Sequence, residues 1–170
     1  RLGEVGPMTE DDAVVGAAAR EHTPAAARDV HDALARGGVF HHPHAVLADP
    51  VPPASVLAHA QAIGARLLRI GLEFGCEAEP DQWLFWGPAG RKSGLAYPAL
   101  YGRIQLLNAS AAVAALDALQ QRLPVSPRHL RRGLAEVDLP GRFQVLPGRP
   151  AVVLDVGHNP QAAAVLADNL

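Results

Sequence analysis

The sequence predicts an α/β fold, a mixed and partly parallel sheet with helices. Three observations point there. Residues 45–70 read as strand, helix and strand, and such a crossover unit implies parallel pairing. Phe74 to Trp86 alternates roughly between apolar and polar residues, the period of half-buried strands. Ala151 to Leu154 runs apolar into Asp155-Val156-Gly157-His158-Asn159, and Pro160 then opens an alanine-rich helical pattern.

The elements follow in order. Ala13-Val14-Val15, after Asp11-Asp12, is a short buried-strand candidate. Ala17 to Arg36 reads as loop plus helix, broken by Gly37-Gly38. Ala45-Val46-Leu47-Ala48 is a strand ending at Asp49-Pro50. Pro52-Pro53 opens a helix with Ser55 near its first turn; Val56, Leu57, Ala60 and Ile63 share a face, and Gly64 stops it. Leu67 to Ile70 is the returning strand. Phe74 to Trp86 reads as antiparallel strands around a turn near Glu79-Pro80, and Arg91-Lys92-Ser93-Gly94 as another turn. Ile104 to Leu119 is a strong helix whose apolar face is Ile104, Leu107, Ala111, Ala115 and Leu119. Pro127 to Val137 is a shorter helix, and Leu139-Pro140-Gly141 the best boundary. Phe143 to Leu146, a Pro147-Gly148 turn and Ala151 to Leu154 form a strand, a turn and a strand.

A chain of 170 residues can bury a real core, enough for one domain and part of a second. The formal net charge of -2 gives no basic balance toward nucleic acid. Cys76 is the single cysteine, which excludes an internal disulfide framework and fits a reducing compartment. No apolar run nears the roughly 20 residues needed to span a bilayer. Arg1 to Pro7 lack a signal-peptide pattern. The expectation is a cytoplasmic protein with neither nucleic acid nor membrane as a partner.

Chemistry concentrates at three places. Asp155 and His158 stand at a strand's carboxyl end, where open α/β sheets bind ligands and a carboxylate can accept from ribose hydroxyls. The plainer alternative is that Asp155 caps the helix beginning at Pro160. Gly102-Arg103-Ile104-Gln105-Leu106-Leu107-Asn108-Ala109 opens the long helix, where backbone amides favour anions. Asn108 can offer a donor and an acceptor to a planar base, or simply face solvent. Arg142, in Gly141-Arg142-Phe143-Gln144, is suited to bidentate phosphate binding or is a surface arginine at a hinge. His41, His42 and His44 read as a solvated loop, because no second ligand group accompanies them. The chain holds neither a GxxxxGK[ST] phosphate loop nor a plausible GxSxG elbow.

In their order along the chain these segments resemble the folylpolyglutamate synthase / dihydrofolate synthase family of the Mur ligase superfamily. The family's LPGRFQ-type boundary is matched by Leu139 to Gln144, and its DxAHNP turn by Asp155 to Pro160. Gly102, Gln105, Asn108 and Ala109 match its G-x-Q-x-x-NA helix start. Val39 to Asp49 looks like its IFRPGxPAVLAD stretch, and Glu21-His22-Thr23 like its DHT element. Residues 1–138 would then be the later part of the central P-loop-type ATPase domain. Residues 139–146 would be the interdomain linker, and 147–170 the start of a Rossmann-like C-terminal, glutamate-ligase domain.

The resemblance implies a monomeric ATP-dependent ligase that uses magnesium (Mg2+). It would activate the carboxylate of dihydropteroate or a folate as an acyl phosphate, which the amine of L-glutamate then attacks. Asn108 would contact adenine, Arg142 the phosphates, Asp155 and His158 the ribose and nearby nucleotide, and His22 the magnesium; no catalytic residue is assigned. There are departures. The family's phosphate loop would lie upstream of residue 1, Glu21 replaces the aspartate of DHT, and Arg36 falls near a lysine that can be carbamylated. The expectation is that the isolated chain has no ligase turnover. The alternatives are a non-catalytic nucleotide-binding or interaction remnant, and a Mur-type ligase with another acceptor.

Overall fold

The computed structural model describes the backbone of residues 14–17 and residues 44–170. The expected loop and helix up to Arg36, together with His22, His41 and His42, lie outside the described residues.

Strands β1 (Val14–Ala17), β2 (His44–Leu47) and β3 (Arg66–Arg69) make a parallel sheet in that order. Helix α1 (Ala54–Ala62) carries the crossover between β2 and β3, so the expected β-α-β unit is present. Pro53 stands just before the helix, where a missing amide proton costs nothing. Val46, Leu47 and Leu68 are buried in the sheet, as the apolar runs require. His44, expected in a loop, instead opens β2: its backbone pairs with Val14 and Arg66.

An antiparallel meander follows, β4 (Gly75–Ala78), β5 (Trp83–Gly87) and β6 (Gly90–Leu95). The expected turn at Arg91 to Gly94 is corrected here, because those residues lie inside β6. The actual turn is Pro88-Ala89, closed by the pairing of Gly87 with Gly90. The local composition of Arg91 to Gly94 resembles a turn, but pairing with β5 overrides it. The register shifts by one residue between Trp83 and Phe85, a bulge that absorbs Ser93-Gly94.

Helix α2 (Ile104–Ala118) touches both sheets, contacting β1 and β2 as well as β4 and β5. Its most deeply buried residues are Ala109, Ser110, Val113 and Ala114; of the expected face of Ile104, Leu107, Ala111, Ala115 and Leu119, the residues Leu107, Ala111 and Ala115 are partly buried and pack against the same core. The helix is apolar on nearly every side, so periodicity alone could not orient it. Ser110 is fully buried, and its hydroxyl donates to the Leu106 carbonyl at 2.7 Å, which satisfies it within the helix. Phe74, Trp83 and Phe85 form the aromatic centre of the core, each fully buried. The Phe74 and Phe85 rings stack at 6.3 Å, and the Trp83 indole N–H donates to the Ala96 carbonyl at 2.8 Å. Lys92 on β6 pairs with Asp117 on α2 at 2.9 Å and fastens the meander to the helix.

Helix α3 (Pro127–Glu136) is capped by Ser126, whose hydroxyl accepts from the His129 amide at 3.2 Å, and it sends Leu134 into the core. Strands β7 (Gln144–Leu146) and β8 (Val152–Leu154) then form a separate antiparallel pair. Helix α4 (Pro160–Asn169) begins where the sequence pattern placed it.

Candidate functional site

A cleft of about 300 Å³ lies where β2 and β8 end, against α2, the segment before β7 and helix α4. The carboxyl ends of strands in an α/β fold are where ligands sit. Asn108, Arg142, Asp155 and His158, far apart in sequence, all line this one cleft. His22 lies outside the described residues.

Asp155 organises the floor. One carboxylate oxygen accepts from the Phe143 amide at 2.9 Å and the other from the Gly157 amide at 2.7 Å. The alternative of Asp155 as a helix cap is corrected: Asn159 caps α4, its side-chain oxygen accepting from the Ala162 amide at 2.8 Å. Asp155 therefore ties the strand-end turn to the segment before β7. One further bond joins the same pieces: the Val156 amide donates to the Gly141 carbonyl at 2.8 Å, while inside the segment leading into β7 the Gly141 amide donates to the Gln144 side chain at 3.1 Å.

The functional groups stand on this frame. His158 is exposed, and its Nδ1 lies 3.1 Å from the Val156 carbonyl. A proton on Nδ1 makes that bond and leaves Nε2 as an acceptor. Asn108 is exposed on α2, and its amide donates to Gln105 Oε1 at 3.1 Å, so it is both solvent-facing and part of the cleft. Arg142 is exposed and has no ion-pair partner among the described residues.

Sequence reasoning missed the aromatic side of the cleft. Phe143 has φ 49°, a left-handed conformation uncommon for a bulky residue. The Asp155 bond to its amide and a stack on Tyr101 hold it there, with ring centroids 4.6 Å apart. Asp49, Tyr101 and Asn169 also line the cleft. An aromatic directly before Gly102 was the available signal for Tyr101; nothing local announced Asn169. Gly102 itself has φ 113°, and a Cβ there would fall 2.8 Å from the Asn169 side chain. Only glycine lets α2 begin so close to α4. Among the described residues no group of three or more His, Cys, Asp or Glu could hold a metal. No helix among them is long and apolar enough to cross a membrane.

The fold, a parallel β-α-β unit and meander around one helix with a strand-end cleft, is of the Mur ligase class. The solved structures agree with this. Escherichia coli FolC in complex with DHPP and ADP matches 81% of this chain and 32% of its own, at 34% identity and a TM-score of 0.66. The Yersinia pestis bifunctional folylpolyglutamate synthase/dihydrofolate synthase, complexed with AMPPNP and Mn, matches 89% of this chain and 35% of its own, at 32% identity and a TM-score of 0.67. The dihydrofolate synthase/folylpolyglutamate synthase of Escherichia coli (strain K12) is 34% identical over 173 residues, which is 100% of this chain and 39% of that protein. The chain belongs to the folylpolyglutamate synthase / dihydrofolate synthase family, and it spans about two fifths of the length of that relative. No family model matches it.

Proposed function

We propose that the chain contributes one wall of the ATP site in a ligase that joins L-glutamate to dihydropteroate or a folate. The observation that carries this reading is the convergence of Asn108, Arg142, Asp155 and His158 on one strand-end cleft. The names of the relatives and the nucleotides in the solved neighbours support it. In this reading residues 1–138 belong to the central ATPase domain, 139–146 to the linker and 147–170 to the start of the glutamate-ligase domain.

The described residues fit a nucleotide. The free guanidinium of Arg142 can take phosphate oxygens in two parallel bonds. Asn108 presents an amide to the edge of adenine. His158 offers Nε2 toward the ribose and nearby nucleotide, and the frame held by Asp155 keeps these groups in place. Bound ATP supplies a phosphoryl group that turns a poor electrophile, a carboxylate, into one with a leaving group. Among the described residues no group of three or more His, Cys, Asp or Glu offers magnesium a ligand set; His22 is the residue to test for it.

Titration calorimetry of the 170-residue chain with ATP, ADP and adenosine tests the reading. Arg142→Ala should weaken ATP and ADP about tenfold or more, the value of a charge-assisted bond, while adenosine is unaffected. A chain that binds none of the three would sink the reading. In a coupled assay the 170-residue polypeptide alone should release no ADP with folate and glutamate, since it contains no GxxxxGK[ST] loop to hold the transferring phosphoryl. A second reading, a nucleotide-binding module without catalysis, is favoured by Glu21 and Arg36 at positions where the family pattern has aspartate and lysine. Binding of ATP that magnesium does not strengthen would support it.

A further inference from the structure

We infer that Tyr101 is the platform on which a planar base stacks in this cleft, with Phe143 behind it. The inference rests on the nucleotide reading above and adds a residue to it. Its basis is what the Tyr101 ring touches and what it leaves open. One face lies against the Phe143 ring, with centroids 4.6 Å apart and planes 17° from parallel. Phe143 is buried, Tyr101 remains 59% exposed, and both line the cleft. The ring thus has a backed side and an open side, and a flat ligand in the cleft can cover the open one.

Three observations separate this from an ordinary surface tyrosine. The chain has two tyrosines, and the other, Tyr97, is anchored by its hydroxyl, which donates to the Glu79 carbonyl at 2.7 Å. The Tyr101 hydroxyl has no such partner among the described residues, so this side chain is held through its ring. The backing is also firm. Phe143 stands at φ 49° with its amide bonded to Asp155 at 2.9 Å, so its own backbone sets the ring behind Tyr101. Finally, a base needs apolar cover on its faces and amides at its edge, and the cleft holds both. Ile104 and Leu166 line it together with Tyr101. Asn108 stands one turn into α2, about 6 Å along the axis from Ile104. Its amide gives one hydrogen to Gln105 Oε1 at 3.1 Å, which leaves the other hydrogen and the carbonyl oxygen for a base. Adenine presents a matching pair on one edge, an amino donor beside a ring-nitrogen acceptor. Stacking accepts any flat ring, so Tyr101 supplies affinity and Asn108 the choice of base.

The test uses the 170-residue chain carrying isotope-labelled tyrosine, with ATP and adenosine as probes. Two tyrosines give two sets of ring signals by NMR, and Tyr101→Phe assigns them by removing one. Both probes should move the Tyr101 ring signals upfield, through the ring current of the stacked base, and leave those of Tyr97 in place. ATP that binds in calorimetry without moving the Tyr101 signals would overturn the inference and leave the nucleotide reading standing. A chain that binds neither probe would overturn the nucleotide reading and the platform with it. Affinities give a second readout. Tyr101→Phe keeps the ring and should bind both probes as the parent does. Tyr101→Leu keeps apolar bulk without a flat face, and should weaken ATP and adenosine by the same factor, about tenfold, the lower range for base–aromatic stacking. A loss confined to ATP would mean that Tyr101 acts through Phe143 on the adjacent Arg142, and would overturn the platform. The ring signals of the parent chain decide the matter even where Tyr101→Leu fails to fold.

Discussion

The two ends of the described structure are held together by different forces. From β2 to α3 the chain is organised around buried apolar groups, with Phe74, Trp83, Phe85 and Val113 almost wholly excluded from water. From β7 onward the exposed large side chains include Val145, Leu146, Val152, Leu154 and Val156, and among the described residues Phe143, just before β7, is the last buried hydrophobic. What ties that second region to the first is mainly the Tyr101–Phe143 stack and, within it, the hydrogen bonds of Asp155, Gly141 and Val156. Burial is non-directional and gives stability, whereas hydrogen bonds are directional and give placement. The candidate site sits where placement takes over from burial.

Substitutions can break this contrast. The largest effect should come from Phe85→Ala in the core, which removes a fully buried ring and its stack on Phe74; about 4 kcal/mol of global stability should be lost, read by denaturant titration. Next is Gly141→Ala. Gly141 has φ 73°, and a Cβ there would fall 2.8 Å from the Val156 side chain. The left-handed conformation alone costs about 1–2 kcal/mol for a residue with a Cβ. The loss should be local, with the denaturation midpoint nearly unchanged but faster hydrogen exchange at Val156 and Phe143. A global loss as large as that of Phe85→Ala would mean that the two regions are not distinct.

Smaller changes sharpen the same comparison. Asn159→Ala removes the cap of α4 and should cost about 1 kcal/mol, again confined to the amides of that helix. Acid should act weakly on the first region through Arg69 and Glu73. The side-chain hydrogen bond from Arg69, the leading cause, holds the Glu73 carboxyl below its usual value of 4.5, against a smaller desolvation effect. A depressed folded pKa stabilises above the unfolded value, and that contribution is lost as pH falls from there through the folded one. Arg69→Met should therefore flatten the stability profile below about pH 4.5, measured by urea melts at successive pH values. The pair is partly exposed, so the change should be the smallest of the four.

Much of this was legible along the chain. The β-α-β unit showed itself because apolar runs alternate with a helical pattern at short range. The helix at Pro160 showed itself because a proline opening an alanine-rich run is a local signal, whereas its cap, Asn159 rather than Asp155, came only with the structure. Four residues of the cleft were legible as candidates too, since Asn108, Arg142, Asp155 and His158 carry side chains suited to nucleotide chemistry. Two departures from that reading have a common cause. Arg91 to Gly94 has turn-like composition yet lies within β6, and the deepest residues of α2 are Ala109, Val113 and Ala114, while Leu107, Ala111 and Ala115 of the expected face are only partly buried beside them. In both, neighbours distant in sequence supplied the deciding contacts: β5 for the first, and the two sheets for the second.

The sequence by itself determined the order of elements, the chemical character of the candidate site and, through the motif order, the family. These depend on local propensity and on residue identity, which are written one position at a time. The tertiary structure alone decided which partner each polar group takes. Asp155 bonds the amides of Phe143 and Gly157 rather than capping α4, and Tyr101 and Asn169 join the cleft from helix ends far apart in sequence. A hydrogen bond is settled by ångström-scale distance and angle, and those exist only once the segments have packed.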